Sequence, residues 1–276
     1  MSNPNKKPYL LITLSITGIL NIVDSMIMTL YNIIRILSES YLLVFAVDAS
    51  IGNALDFVRK ISINEGYIIA KCGSSIYDIS NKESIRISNL PNSKVLRILK
   101  QVAVDFDLGV FAGQKEAFVF GIDWSFMQKI ASNSFETYIN SYDYSQAIKF
   151  IRTHKIPSIQ VYFNYFDNDN LKIRKEKITN LVKENNLIMT KMHDDSFVIT
   201  DIRVGECMNL ILKNDGNEKS PYHVLSLTDI FKENHMISPT SLYNSKISID
   251  DLYKDKTFAL FNSELKKTVY QNKLIK

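Results

Sequence analysis

The sequence predicts an α/β fold in which a parallel sheet flanked by helices is interrupted by an inserted α+β segment. Three observations support this prediction. Apolar strand patterns alternate with helical patterns over about the first eighty residues, hairpins and mixed elements follow, and the alternation returns near residue 200. Alternating strands and helices are typical of a parallel sheet with right-handed crossovers. We therefore predict a discontinuous core domain of residues 1–84 and 200–276 and an inserted cap domain of residues 85–199.

In the first part of the core, Tyr9–Leu14 is a short apolar run that ends in polar residues and Gly18. That pattern is typical of a buried parallel strand followed by a turn. Ser50 is a residue type that caps helices, and apolar side chains recur behind it at helical spacing. The strands predicted here are 9–14, 41–47 and 67–70, and the predicted helices are 23–37 and 50–61.

The middle of the chain combines amphipathic helices with segments rich in β-forming residues. Residues 186–203 alternate on both sides of a polar turn at His193 to Asp195, which predicts a hairpin. The other predicted cap elements are helices at 95–106, 145–154 and 171–185 and strands at 116–122 and 158–166. The core then continues with a helix at 206–213, a strand at 222–228, a short helix at 230–236 and a last strand at 257–261.

Charge and cysteine usage exclude several classes of function. The formal net charge is +4, and the basic residues are scattered among acids, so no nucleic-acid partner is expected. The two cysteines, Cys72 and Cys207, lack metal-ligand spacing, and the four histidines lie far apart in the sequence. This usage fits a reducing, cytoplasmic compartment and makes a zinc cluster improbable.

A membrane segment is the alternative interpretation of the N-terminus. Residues 9–23 are apolar and follow Lys6 and Lys7, as in a signal or anchor. The run spans about fifteen residues, which is short of the ~20 that a spanning helix needs, and it contains Ser15, Thr17 and Asn21. No small-x-small cleavage site follows it. A membrane is therefore not expected as a partner, although anchoring by residues 9–23 stays open at this stage.

Three segments resemble motifs of the haloacid dehalogenase (HAD) superfamily, and in particular its sucrose-phosphatase and Cof-like sugar-phosphate phosphatases. They are "YIIAKCGSSIYDIS", "TDIFKENHMI" and "TFALFNSELKK", and they occur in the family's order. The resemblance covers nearly the whole chain. It implies a Rossmann-like core, an inserted cap and phosphatase-like ancestry.

The acids of the family's first motif are missing. That motif is Asp-x-Asp-Gly-Thr, and its matching residues here are Ser15, Ile16, Thr17, Gly18 and Ile19. In the family the first Asp is the nucleophile and a magnesium ligand, and the second is the general acid and base. The resemblance therefore places Ser15 and Thr17 at the two acid positions.

The later motifs are degenerate as well. A Ser or Thr that holds phosphate falls on Val47, or on Ser50 with a shifted turn, and the family's charge-balancing Lys falls on Glu206. The fourth motif keeps Asp229, with Glu233 at its second acid position. The resemblance implies Asp229 and Glu233 as the only candidate metal ligands. Its weak candidates for ligand binding are Gly18, Gly73, Ser74, Ser75 and Asn262.

These losses argue against phosphoryl transfer on chemical grounds. The reaction needs a positioned nucleophile, a cation and oxygen ligands for Mg²⁺. Ser15 would need a base within hydrogen-bond reach, and Glu206 would place a negative charge where a phosphate should sit. Structural interpretations exist too: Asp229 as a helix N-cap, Glu206 as a first-turn acid, and Gly18 and Gly73 as turn residues.

The sequence thus predicts a pseudo-phosphatase: a HAD-fold protein without catalysis that serves as a binding or regulatory subunit. Its partner would be an active sugar-phosphate enzyme or a small sugar or phosphate ligand. No cofactor is expected, and Mg²⁺ only if residual activity exists. The alternative is a divergent Mg²⁺-dependent HAD phosphatase, a phosphoric monoester hydrolase acting on a sugar phosphate, whose acids come from positions such as Asp24, Asp48 or Asp229.

Overall fold

A computed structural model describes the chain in segments. The described residues are 7–14, 16, 24–104, 108–112, 117–120, 139–141, 143–163, 170–191, 196–218, 220, 222–226 and 243–246. The strands are β1 (Tyr9–Leu14), β2 (Leu42–Val47), β3 (Tyr67–Ala70), β4 (Ser75–Asp78), β5 (Glu83–Ile87), β6 (Leu108–Ala112), β7 (Ala117–Phe120), β8 (Ile139–Ser141), β9 (Ser158–Tyr162), β10 (Ile188–Lys191), β11 (Ser196–Thr200), β12 (Tyr222–Ser226) and β13 (Tyr243–Lys246). The helices are α1 (Asp24–Ser40), α2 (Ile51–Lys60), α3 (Asn92–Val104), α4 (Tyr144–Thr153), α5 (Leu171–Glu184) and α6 (Val204–Asn214).

The first sheet is the predicted parallel one. Its order over the described residues is β13-β12-β1-β2-β3-β4-β5. The pairs from β13 to β3 are parallel, and β4 and β5 continue the sheet as an antiparallel hairpin. The α/β class with a parallel sheet flanked by helices is therefore confirmed.

Strand β1 lies at the centre of this sheet, between β12 and β2, and all six of its residues are buried. Its alternate side chains enter two different apolar clusters. Leu10, Ile12 and Leu14 belong to a cluster with residues of α1 and α2. Tyr9 and Leu11 belong to a second cluster with residues of α6. Burial on both faces explains why β1 is a continuous apolar run, and it confirms the strand interpretation of Tyr9–Leu14.

The second sheet has the order β10-β11-β9-β6-β7-β8 over the described residues. Its pairs are antiparallel apart from β7 and β8, which are parallel. Helices α3, α4 and α5 share one apolar cluster with β9 and β11, so they cover one face of this sheet. The predicted hairpin at 186–203 is confirmed as the antiparallel pair β10 and β11.

The chain passes from the first sheet to the second after β5 and returns after β11. Polar contacts link these two connecting segments. Asp201 follows β11 and accepts hydrogen bonds from Arg86 Nη2 at 2.9 Å and from Ser88 Oγ. The Ser88 amide donates to Ser74 O at 2.7 Å. Strands of the first sheet come from residues 9–87 and 222–246, and those of the second from 108–200. The domain boundary at residues 84/85 and 199/200 itself stays a prediction.

Some expectations differ from the structure or fall outside it. The hairpin of β4 and β5 and the strands β6, β8 and β13 were not predicted. The helix predicted at 230–236 and the strand predicted at 257–261 lie outside the described residues. Within the described part of the chain, no helix has both the length and the apolarity to cross a membrane.

Candidate functional site

The carboxyl ends of β1, β2 and β3 meet at one edge of the parallel sheet. Leu14 pairs with Val47 and Ala46 pairs with Ile69, so the residues that follow these strands are brought side by side. In open α/β sheets, ligands bind in the crevice outside the carboxyl ends of the strands. We call four described residues that lie one or two positions beyond these strand ends the strand mouth: Ile16, Asp48, Lys71 and Cys72.

Asp48 is the acid of the strand mouth. It is 6% exposed, and its Oδ1 accepts a hydrogen bond of 2.9 Å from the backbone amide of Ile16. A buried carboxylate that accepts a backbone N–H forms a charge-assisted bond, which is stronger than a neutral one. A backbone N–H that follows β1 therefore donates its hydrogen bond to a side chain of the protein itself.

Lys71 is the basic residue of the strand mouth. Burial lowers its pKa to about 7, against the opposing attraction of Cys72 and Asp48. Burial also raises the pKa of the Cys72 thiol far above its ordinary value, so that thiol is neutral at physiological pH. Among the described residues of the strand mouth, Asp48 is therefore the negative charge that acts on Lys71.

Lys71 begins a turn with unusual backbone angles. Its φ is 41°, that of Cys72 is 58° and that of Gly73 is 113°. Non-glycine residues rarely adopt positive φ, and such residues concentrate at functional sites. The Lys71 amide donates to Ala49 O at 3.0 Å, and its carbonyl accepts from the Ser74 amide at 3.2 Å. The turn is thus fixed on both sides of Lys71.

Gly73 is required by packing as well as by its φ. A Cβ at this position would lie 2.7 Å from the carbonyl oxygen of Ile202. Ser74 Oγ donates to Ala70 O at 3.4 Å, and Ser75 is buried in β4. The predicted phosphate cradle of Gly73, Ser74 and Ser75 stays a prediction. The amide and the hydroxyl of Ser74 already have acceptors within the protein.

The positions matched to the second motif have structural roles. Val47 is buried in the apolar cluster beside α1 and α2. Ser50 is the N-cap of α2, as predicted, and its side chain accepts from the Asn53 amide at 3.3 Å. The residue that the strand end presents at the strand mouth is Asp48, which follows Val47 directly.

The position matched to the third motif lies at the start of α6. Glu206 Oε2 accepts a hydrogen bond of 2.8 Å from the Arg203 amide, and Glu206 is exposed. The contact fits its interpretation as a first-turn acid of the helix. The neighbouring Cys207 is buried, its thiol donates to Gly73 O at 3.6 Å, and burial raises its pKa to about 12.

The remaining candidate residues lie outside the described residues, and their roles stay predictions. They are Ser15, Thr17, Gly18, Asp229, Glu233 and Asn262.

The described residues of the strand mouth do not fit a magnesium ion. Mg²⁺ needs near-octahedral oxygen ligands with one or two carboxylates among them. Asp48 is the carboxylate present, one of its oxygens is engaged by Ile16, and a lysine lies in its field. Across the described ranges, no group of three or more His, Cys, Asp or Glu side chains is placed to hold a metal.

Sequence reasoning found part of this site. It named Asp48 as an alternative acid, and it did not identify Lys71. The available signal was local: each residue is a charged side chain that directly follows an apolar parallel strand.

Comparison with known proteins identifies the fold. Three similar structures are a haloacid dehalogenase-like hydrolase from Bacteroides thetaiotaomicron, a HAD subclass IIB sugar phosphatase and a haloacid dehalogenase-like hydrolase from B. subtilis. Their sequence identities are 15%, 9% and 8%, and their TM-scores are 0.58, 0.58 and 0.59. The matches cover 81%, 79% and 78% of this chain and 82%, 80% and 81% of those chains. No protein-family model and no curated protein matches the sequence. At these identities the likeness shows the fold alone, and the predicted HAD-type fold is confirmed.

Proposed function

We propose that this protein is a HAD-fold pseudo-phosphatase that acts as a binding or regulatory subunit. The observation that carries the proposal is the bond from the Ile16 amide to the Asp48 carboxylate. It places an anion of the protein itself at the edge of the sheet where ligands bind in this class of fold. Among the described residues of the strand mouth, Asp48 then carries a negative charge that Lys71 offsets in part.

A phosphorylated substrate would meet unfavourable electrostatics at this position. Two unit charges about 4 Å apart interact by roughly 4 kcal/mol at the effective dielectric of a protein surface. A phosphate dianion beside Asp48 would experience that repulsion for each of its charges. Lys71 offsets only part of it, because its pKa of about 7 leaves the amine half neutral at pH 7. Productive phosphoryl transfer needs the opposite arrangement, a cation on the transferred group.

The sequence adds an independent argument. Ser15 and Thr17 stand where the resemblance expects the nucleophile and the general acid. A serine hydroxyl is a weak nucleophile unless a base accepts its proton. Loss of the acids and the negative charge of Asp48 at the strand mouth support the same proposal.

The partner belongs to the proposal as well. One structural neighbour is a HAD subclass IIB sugar phosphatase. We infer a role beside an active sugar-phosphate enzyme, or the binding of a small sugar or phosphate between the core and the cap. A cytoplasmic location fits Cys72 and Cys207, which are buried and form no disulfide, as is typical of a protein from a reducing compartment.

A phosphatase assay tests the proposal. The purified chain is incubated with Mg²⁺ and with p-nitrophenyl phosphate or a panel of hexose and triose phosphates. We expect no phosphate release above that of an Asp48→Asn variant. Asp56→Asn is the matched control, because Asp56 is an exposed acid paired with Arg59 on α2. Turnover that persists in Asp56→Asn and disappears in Asp48→Asn or Asp229→Ala would overturn the proposal.

The same assay decides the alternative, a divergent Mg²⁺-dependent phosphatase. One observation favours that alternative: a carboxylate, Asp48, does lie beside the turn of the first motif. An active enzyme would need Asp48 as an acid, and its removal would abolish turnover. If the protein is a pseudo-phosphatase, the same substitution changes ligand binding and stability, and neither the wild type nor the variant releases phosphate.

A further inference from the structure

Helices α3 and α4 differ in charge from the other described helices. Neither contains an acidic residue, whereas each of the other four described helices contains at least one Asp or Glu. The acid-free stretches extend beyond the helices, from Glu83 to Asp105 and from Asp143 to Asp167. Between these limits they contain seven Lys and Arg residues, whereas the whole chain has a formal net charge of +4. The rest of the chain is therefore net negative.

Five of these basic residues are exposed, and we call them the basic helix surface: Arg97, Lys100, Lys149, Arg152 and Lys155. The apolar residues of α3 and α4 enter the cluster that these helices share with β9 and β11. On an amphipathic helix the charged residues lie opposite the apolar stripe. The exposed charges of α3 and α4 therefore lie on the side away from the second sheet.

The two helices lie side by side. Helix α3 contacts α4, and the Leu90 amide donates a hydrogen bond of 2.9 Å to Ile156 O. Leu90 precedes α3 and Ile156 follows α4, so the start of α3 lies beside the end of α4. Because both helices cover the same face of the second sheet, they run in opposite directions. Their exposed basic side chains thus share one surface, although they come from distant parts of the sequence.

The basic helix surface contains like charges at close spacing. Arg97 and Lys100 are three residues apart on α3, and the same spacing recurs on α4. Residues three or four apart are neighbours on a helix, and like charges there are destabilising. On α5, by contrast, Glu176 follows Lys172 by four residues, which is a favourable pair. An anionic partner would relieve the repulsion on α3 and α4.

The shape of the basic helix surface favours a broad anionic partner. Both helices pack along one side on the second sheet, so neither projects as a single helix that could enter a DNA groove. Single-stranded nucleic acid is bound by stacking on exposed aromatic rings. Tyr144 is the exposed aromatic residue of these two helices, and it follows Asp143 at the start of α4, away from Arg152. The head groups of an anionic bilayer need neither a projecting helix nor a stacking ring.

We propose that the basic helix surface binds the anionic head groups of a phospholipid bilayer and attaches the protein peripherally to a membrane. Clusters of about four to eight Lys and Arg residues bind anionic lipid, and each residue near the surface strengthens binding roughly fivefold. No residue of the strand mouth takes part, so this inference goes beyond the proposed function.

Vesicle sedimentation tests the proposal. The full chain is mixed with sucrose-loaded vesicles of phosphatidylcholine, either pure or with about 30% phosphatidylserine, and the bound fraction is measured after centrifugation. We expect binding to the vesicles with phosphatidylserine at about 50 mM salt and its loss at about 500 mM, because salt screens exposed charges. Pure phosphatidylcholine should not bind the protein.

Two double variants with the same change in net charge locate the binding surface. Arg97→Gln with Lys100→Gln should lower the partition coefficient about thirtyfold, since two residues are removed at about fivefold each. The control is Lys60→Gln with Lys213→Gln, at exposed residues of α2 and α6, and it should change the coefficient less than about threefold. Circular dichroism checks that both variants are folded.

A third variant separates charge from side-chain shape. Arg97→Lys with Lys100→Arg keeps both charges and should bind the vesicles as the wild type does, because head groups of a bilayer are recognised here by charge.

No sedimentation with phosphatidylserine vesicles at low salt would overturn the proposal, and so would equal losses in the two Gln double variants. Tighter binding of a duplex or single-stranded oligonucleotide than of the vesicles, dependent on Arg97 and Lys100, would assign the surface to nucleic acid instead. Phosphatase turnover would contradict the proposed function alone, because the vesicle measurement does not depend on Asp48.

Discussion

The backbone amide of Ile16 donates a hydrogen bond of 2.9 Å to the Asp48 carboxylate, although the two residues are 32 positions apart in the sequence. Parallel pairing of β1 and β2 brings them together. The contact joins the turn after β1 to the end of β2. It also fixes a negative charge beside Lys71 at the strand mouth.

Removal of the Asp48 side chain should destabilise the protein. In Asp48→Ala the buried Ile16 amide loses its acceptor and Lys71 loses its counter-charge, for an expected cost of about 3 kcal/mol. Asp48→Asn keeps an acceptor oxygen and should cost less. Urea unfolding measures both, and Asp56→Ala on the surface of α2 should shift the midpoint very little. Equal midpoints for Asp48→Ala and Asp56→Ala would contradict this view.

The lowered pKa of Lys71 predicts a pH dependence of stability. The unfolded chain binds a proton at this amine up to about pH 10.5, whereas the folded chain releases it near pH 7. The free energy of unfolding should therefore rise between pH 7 and pH 10 and fall as the pH drops back through 7. Partial exposure keeps the slope below the limit of about 1.4 kcal/mol per pH unit. Urea midpoints at pH 7, 8 and 9 should rise more steeply for the wild type than for Lys71→Met, and parallel profiles would refute the assignment.

A second carboxylate joins the first residues of two strands at the opposite edge of the sheet. Asp215 accepts hydrogen bonds from Tyr9 at 2.6 Å and from Tyr67 at 2.5 Å. We expect Tyr67→Phe to cost about 1 kcal/mol and Asp215→Ala about 2–3 kcal/mol, because the second change leaves two hydroxyls without this acceptor. Asp56→Ala, at an exposed residue on α2, is the control for thermal unfolding. Its cost should lie within a few tenths of a kcal/mol.

The same contact predicts behaviour at high pH. Burial, followed by the bond to Asp215, raises the pKa of both Tyr9 and Tyr67 well above 10. The two tyrosines contribute to the free energy of unfolding below pH 10. This stabilisation is lost as the pH rises further, because the unfolded chain then releases protons that the folded chain retains. In Asp215→Ala, the free energy of unfolding should fall less steeply above pH 10 than in the wild type. An unchanged dependence of that free energy on pH would argue against the contact.

Gly73 and Gly216 form a matched pair of left-handed glycines. Their φ values are 113° and 67°, but only Gly73 would bring a Cβ within 4 Å of other atoms, at 2.7 Å from Ile202 O. Gly216→Ala should lower the free energy of unfolding by about 1 kcal/mol, which is the cost of holding a non-glycine residue at positive φ without any clash. Gly73→Ala adds a clash with backbone and should cost at least ~1–2 kcal/mol more. Equal thermal shifts would show that the turn moves away from Ile202 freely.

The elements that the sequence predicted are those with strong local patterns. Strands β1, β2 and β3 are apolar runs because both faces are buried, and Ser50 caps α2 through its own side chain. Strand β5 was missed because "ESIRI" lies at the edge of the sheet with exposed or half-buried residues, so it lacks an apolar pattern. The contacts of the strand mouth depend on strand register. Those of Asp215 span 206 and 148 residues, and no local pattern predicts such pairs.

The central claim is that the Asp48 carboxylate takes the position of a ligand anion at the strand mouth. Isothermal titration of inorganic phosphate into the wild type, Asp48→Ser and Asp56→Ser tests it most directly, at pH 6.5, where Lys71 is mostly charged. We predict no binding of millimolar phosphate to the wild type or to Asp56→Ser. Asp48→Ser should bind it, because the substitution removes the carboxylate that would repel phosphate and leaves the Ile16 amide without this acceptor. Phosphate binding by the wild type that Asp48→Ser leaves unchanged would contradict the claim.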